Sequence, residues 1–228
     1  MLHIQPGITA IIGAGGKTTL LRALADELSP RARVIVATST KMYVPDWCPV
    51  VLEDDEERDD EKRLLLRLEA ALADASCVCI GAIHKPTGKL QASHLEFSRL
   101  ANMADYVLVE ADGAKMLPLK AHAEHEPVIP GDTQRVVCVV GADGLSAPVS
   151  QVCHRLHLFA QLAGISESDA VTPEAVAAVL NAESLHDVVL VNKVETAAEW
   201  RAAERIAALS RTPVVAGSLW RGEFRCLR

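Results

Sequence analysis

Residues 8–21 read Ile-Thr-Ala-Ile-Ile-Gly-Ala-Gly-Gly-Lys-Thr-Thr-Leu-Leu, and no other stretch restricts the fold so tightly. An apolar run suited to a buried strand stops at Gly13. Ala14, Gly15 and Gly16 are small, and Lys17, Thr18 and Thr19 then open a helical pattern. A strand, a glycine turn and a helix beginning at Lys-Thr are the parts of a phosphate-binding loop. Glycines let the backbone fold around an anion with its N–H groups inward, and the helix N-terminus adds partial positive charge. In that arrangement Lys17 reaches the β- and γ-phosphates and the Thr18 hydroxyl is a Mg²⁺ ligand. Against the pattern G-x-x-x-x-G-K-[ST], Gly16 and Lys17 fit, while Ile11 stands where the first glycine belongs. The expectation therefore leans on the rest of the chain.

That chain alternates apolar runs with helical periodicity. Leu20, Leu21, Leu24 and Leu28 share a helix face that ends before Pro30. Further strands are expected at 34–37, 78–80, 106–109, 135–140, 188–191 and 213–216. Helices are expected around Leu64, Leu65, Leu68 and Leu72, over 93–103, over 153–162 and from Thr172-Pro173, a hydroxyl cap with proline in the first turn. Another starts at the capping box of Thr196 and Glu199. The charge run Glu53–Lys62 is read as a solvated helix start, and 81–91 as a loop or short hairpin. With its three prolines, 117–130 fits neither helix nor strand. Continuously apolar strands between helices predict a mainly parallel sheet of about seven strands covered on both faces. The fold class expected is α/β, a three-layer P-loop NTPase-like fold, with 1–228 as a single domain.

Composition excludes several function classes. The net charge of −7, without a Lys/Arg cluster, argues against a nucleic-acid partner. No apolar run approaches the roughly 20 residues of a membrane span. The start Met1-Leu2-His3-Ile4-Gln5 carries no basic residue before its short apolar run, so no signal peptide is read and a cytoplasmic location is expected. Cys48, Cys77, Cys79, Cys138, Cys153 and Cys226 form no C-x-x-C pair and are read as buried reduced thiols.

Three strand ends carry chemistry. The strand at 106–109 runs into Glu110-Ala111-Asp112-Gly113, delivering carboxylates beside the loop as Mg²⁺–nucleotide chemistry requires; either Glu110 or Asp112 would meet the metal. The strand at 34–37 ends in Thr38-Ser39-Thr40-Lys41, where Lys41 would reach phosphate if that end faces the ligand crevice. Asn192-Lys193-Val194-Glu195 matches the guanine-recognition pattern Asn-Lys-x-Asp with Glu in place of Asp, and Ser218 follows one strand later. A carboxylate there accepts both N–H groups of guanine, so GTP is favoured, with ATP open. Lys120, Glu124, His125 and Glu126 serve no evident nucleotide role, and are assigned to a substrate or client protein.

Together these residues resemble the YqeC family, accessory proteins of selenium-dependent molybdenum hydroxylases. The resemblance runs through Gly13–Thr19, Thr38–Lys41, Glu110–Ala114, Pro118–Ala121, Glu124–Pro130, His154-Arg155 and Asn192-Lys193. The Glu-Ala-Asp-Gly-Ala and Glu-His-Glu-Pro blocks are its specific part. Where members of that family carry a proline after Lys120-Ala121, this chain has His122. The resemblance implies a P-loop NTPase fold and a part in maturing a selenium- or molybdenum-containing hydroxylase. The strand order is also similar to that of metallocentre-assembly GTPases. A homodimer stays open, although the lysine that many of those proteins use across a dimer is Ile12 here.

The leading expectation is a Mg²⁺- and GTP- or ATP-driven accessory protein with a protein client, its site built from Gly13, Ala14, Gly15, Gly16, Lys17, Thr18, Thr19, Lys41, Glu110, Asp112, Asn192, Lys193, Glu195 and Ser218. Competing readings are a kinase or NTP-dependent ligase acting on a cofactor precursor, and a nucleotide-bound adaptor without turnover.

Overall fold

Side-chain alternation along the central strand explains the layers. In β1 (Gly7–Gly13), Ile11 packs toward one face of the sheet while Ile8, Ala10 and Ile12 pack toward the other, all out of solvent. A strand buried on both faces must have cover on both. The computed structural model describes residues 1–54 and 60–228; the part of the charge run over 55–59 lies outside the described residues.

All seven expected strands exist as neighbours in one sheet. They are β1, β2 (Val34–Thr38), β5 (Cys77–His84), β7 (Tyr106–Glu110), β9 (Thr133–Gly141), β11 (Val188–Asn192) and β12 (Val214–Ser218), in the parallel order β12-β11-β9-β1-β7-β2-β5. Four short strands raise the total to eleven among the described residues: β3 (Lys41–Met42), β4 (Val50–Glu53), β6 (Lys89–Gln91) and β13 (Glu223–Cys226). β4 runs parallel to β5, whereas β13 lies antiparallel to β12, and β6 antiparallel to β5 and β3. None exceeds four residues, too short for alternation to register in sequence. Because β6 pairs with Ala82–His84, beyond the β2-paired part of β5, the β3–β6 pair extends the sheet past the C-terminal end of β2.

Helix α1 (Lys17–Leu28) covers one face through Leu20, Leu21, Leu24 and Leu28, as its periodicity predicts. On the opposite face lie α2 (Glu61–Asp74), α3 (Phe97–Ala101), α4 (Val149–Val152), α5 (Leu156–Ala163), α6 (Pro173–Glu183) and α7 (Ala197–Leu209). No helix among the described residues is long and apolar enough to cross a membrane.

Four expectations need correction. Glu53 is not solvated: it is buried and accepts from the Ser93 hydroxyl (2.8 Å) and the His94 amide (2.9 Å). That tether holds 93–96 out of a helix, so the helix expected over 93–103 shrinks to α3. Cys153 and His154 are not helical either. As β10 (Cys153–His154) they pair in parallel with β8 (Leu119–Lys120), so the proline-rich segment is an ordered loop with a strand inside it. All six cysteines are free, but only Cys79, Cys138 and Cys153 are buried, and Cys226 is exposed on β13.

Candidate functional site

Gly13, Gly15 and Gly16 have φ of +91°, +85° and +131°, backbone that side chains oppose. The loop also has no room for one. A Cβ on Gly15 would lie 2.4 Å from the backbone of Gly141, and one on Gly16 2.4 Å from Nδ2 of Asn192. The loop is thus pressed against the C-terminal ends of β9 and β11. Asp60, Thr172 and Thr196 accept amide hydrogens at the starts of α2, α6 and α7, whereas α1 begins at Lys17 with no side-chain cap. Its first-turn amides are left to an outside acceptor, the condition for binding an anion.

Beneath the loop lies a chain of buried charges centred on Asp112, which is fully buried. The Gly13 amide donates to Asp112 Oδ2 at 2.8 Å. Lys17 Nζ is 3.0 Å from Oδ1 and also donates to the Gly13 carbonyl at 2.8 Å. Lys120 Nζ is 3.1 Å from Oδ2, and it donates to the Gly113 carbonyl (2.9 Å) and to Glu126 (3.0 Å). His122 stands between two carboxylates, with Nε2 2.7 Å from Asp112 and Nδ1 2.8 Å from Glu183 at the end of α6. Both ring nitrogens face acceptors, so both must carry hydrogen and the imidazole is a cation. At the outer end, Arg155 donates to Glu126 (2.8 Å) and to His125 Nε2 (3.0 Å). Removing the central carboxylate of such a network strands its buried cations, which costs about 3–5 kcal/mol.

The titrations follow from this geometry. Burial alone would raise the Asp112 carboxyl, but the His122 hydrogen bond and the charges of Lys17, Lys120 and His122 hold it well below the usual carboxylate range. Burial also opposes charge on His122, and its two carboxylate partners overcome it, raising its pKa. Glu110 goes the other way: burial raises it, with the Lys17 charge and the Thr18 hydroxyl offsetting only part.

Glu110 and Asp112, two residues apart, therefore sit in different surroundings. The Thr18 hydroxyl donates to Glu110 Oε2 at 2.9 Å, and both residues line an open cleft of about 740 Å³. Gly15–Thr19, Lys41, Glu126 and Lys193 line it as well. Asp112 lies behind it, consumed by its partners. For a Mg²⁺ ion held largely by phosphate oxygens and water, two protein oxygens suffice. No group of three or more His, Cys, Asp or Glu suited to a metal occurs among the described residues.

The remaining expected residues fall into two groups. Asn192 ties the loop to the end of β12, donating to the Gly15 carbonyl (2.9 Å) and accepting from the Leu219 amide (3.0 Å). Lys193 pairs with Asp143 (2.6 Å), while Glu195 accepts from Ser218 (2.8 Å) and lies 3.6 Å from Arg221. Glu124 is exposed, and His125 and Glu126 are gathered by Arg155. The Ser39 hydroxyl donates to the Val128 carbonyl (2.6 Å), and the Val128 amide to Ala111 (2.9 Å), so this segment is moored to the ends of β2 and β7. Ala14, without a side-chain polar group, contributes its amide to Val139 (2.8 Å).

Residues 9–157 match the family model described as YqeC protein. The chain belongs to the YqeC family. A YqeC protein of Escherichia coli (strain K12), described as uncharacterized, is 35% identical over 169 residues, which take in 71% of this chain and 62% of that protein. The chain thus spans less than two thirds of that relative's length. The YqeC match includes the loop, Glu110, Asp112, Lys120, His122, Glu126 and Arg155, and it stops before Asn192, Lys193, Glu195 and Ser218.

Sequence reasoning singled out Lys17, Asp112, Lys120 and Glu126 but did not join them, reading Asp112 as a candidate metal ligand and Lys120 and Glu126 as client residues, and it missed Glu183. A lone Glu in the last turn of a helix carries no signal, since its partner lies 61 residues away. His122 gains a proton on folding. It therefore stabilises the native state fully below the ordinary histidine pKa of about 6.5, and that contribution is lost as pH rises through its higher native value. Urea unfolding should show stability falling above pH 6.5, by up to about 1.4 kcal/mol per pH unit until the native pKa is passed. His122→Gln should flatten that slope; an unchanged slope would show that another group carries it.

Proposed function

We propose that this YqeC protein binds a Mg²⁺–nucleoside triphosphate at the loop Gly13–Thr19 and acts as an accessory factor in maturing a selenium-dependent molybdenum hydroxylase. The observation that carries the nucleotide reading is a buried lysine at an uncapped helix start, parked on a carboxylate that has two other cations. Lys17 can leave Asp112 for a phosphate without stranding it, because Lys120 and His122 remain. Thr18 and Glu110 fit Mg²⁺, which supplies neutralisation of charge developing on the phosphates. Burial holds Glu110 toward its neutral form, and a cation would draw it into the charged one.

The client role rests on the family resemblance together with one structural support. The network passes from Lys17 through Asp112, Lys120 and Glu126 to Arg155 and exposed His125. A change at the phosphates therefore has a physical path to a surface where Glu124 and His125 can meet a client. Phosphate release that needs no added acceptor supports this switch over a kinase or ligase.

Base choice is assigned to Asn192, Lys193, Glu195 and Ser218. The Glu195 carboxylate is oriented by Ser218 and keeps lone pairs for the two guanine N–H groups.

Lys17→Ala removes a charge-assisted contact worth about 1.5–3 kcal/mol, so triphosphate affinity should fall roughly tenfold to a hundredfold in a fluorescent-nucleotide titration. Glu110→Gln should stay folded and lose the Mg²⁺ dependence of binding, whereas Asp112→Asn should cost about 3–5 kcal/mol of unfolding stability. A stable Asp112→Asn that alone loses Mg²⁺ dependence would reverse the assignment. GTP should outbind ATP by about a hundredfold or more, from two hydrogen bonds to a charged group at about 1.5–3 kcal/mol each. Glu195→Gln should weaken GTP and improve XTP; equal GTP and ATP affinities unmoved by it would place base reading elsewhere.

A further inference from the structure

The cleft continues past Thr18 and Glu110, away from Lys193, to a wall of which the nucleotide reading uses only Lys41. Its residues there are Thr40, Lys41, Tyr43, Lys89, Lys115 and Met116, drawn from the strand end after β2, the β3–β6 pair and the segment after β7. In a chain of net charge −7, three lysines converge here, and none has a carboxylate within 4.0 Å among the described residues. Lys41 Nζ lies 2.9 Å from His84 Nε2, and Lys89 lies over the ring of Tyr43 (4.6 Å to the centroid). Lys115 and Met116 both hold left-handed backbone, φ +49° and +62°, as the two central residues of a turn closed by the Leu117 amide donating to the Ala114 carbonyl (2.9 Å). Tyr43 is 57% exposed and Met116 86% exposed, and the Tyr43 hydroxyl approaches the Met116 sulfur at 3.8 Å. The Thr40 hydroxyl in the same wall has no hydrogen-bond partner.

Unpaired ammonium groups around a cleft select an anion, and an exposed ring and thioether facing the same space select a flat or apolar body. We propose that this end of the cleft is a second ligand site, for a small molecule that carries a phosphate and a planar ring. The site's position beyond the terminal phosphate rests on the nucleotide reading; its charge and shape do not. Under that reading the ligand is the acceptor or effector that the triphosphate serves.

Pyridoxal 5′-phosphate is a suitable probe, because its ring and phosphate match the class and its aldehyde forms an imine with lysine that borohydride fixes. A fluorescent-nucleotide titration is run first, and its failure would count against the nucleotide reading alone. The protein is then labelled with and without saturating Mg²⁺ and a non-hydrolysable GTP analogue, and the modified lysines are mapped by mass spectrometry. Saturable labelling at Lys41, Lys89 or Lys115, at least about tenfold above exposed Lys62 and Lys85, is expected with the analogue bound, and inorganic pyrophosphate should suppress it. Lys89→Gln with Lys115→Gln should abolish the saturable phase while nucleotide affinity stays within about twofold. Labelling no stronger than at Lys62, or insensitive to pyrophosphate, would overturn the proposal. So would a large loss of nucleotide affinity in the double variant, since the lysines would then hold the nucleotide itself.

Discussion

The arrangement depends on a carboxylate with no access to water. Asp112 is tolerated at full burial because a backbone amide and three cations surround it, two of them lysines and the third a histidine made cationic by its second carboxylate, Glu183. An isolated buried charge of that kind costs several kcal/mol, so each partner is fixed in place by the penalty of leaving. Under the proposed function Lys17 is the exception, because a triphosphate at the start of α1 would offer its ammonium another anion. The loop, the end of β7 and the segment around Lys120 are thereby held as one unit, although the loop lies about a hundred residues from the other two in sequence.

The sheet explains why these groups meet. Parallel strands β11, β9, β1, β7 and β2 all end on one side, and their C-terminal turns supply Asn192, Gly141, Gly13–Thr19, Glu110–Asp112 and Thr38–Lys41. Ligand crevices of open α/β sheets form there, because the helices that follow each strand present their N-termini. The Asn192 side-chain amide, donating to the Gly15 carbonyl, and the Gly141 backbone amide, donating to the Pro118 carbonyl, fix the relative heights of those turns. Packing energy on both sheet faces thus becomes positional precision at one edge.

The long strands and the glycine turn into α1 were legible because their signals are local: an apolar run with a breaker, and a helix opened by Lys-Thr. Local signals failed where a distant partner decided the outcome. Ser93 and His94 are drawn from helix by Glu53, and Cys153 and His154 by the backbone of Leu119 and Lys120. The pair Glu110 and Asp112 shows the same limit within the site. Two carboxylates in one motif are alike in sequence, and only His122, Lys120 and the Thr18 hydroxyl tell them apart. Lys89 and Lys115 belong to no motif, and their relation appears only once the β3–β6 pair extends the sheet beyond β2.

The most direct test of the account is a crystal structure with Mg²⁺ and a non-hydrolysable triphosphate. Lys17 Nζ should have left Asp112 Oδ1 for a phosphate oxygen, with Asp112 still held by Lys120 and His122 and the metal touching Thr18 and Glu110. Lys17 still paired with Asp112 beside a bound nucleotide, or a metal ion seated on Asp112, would contradict it.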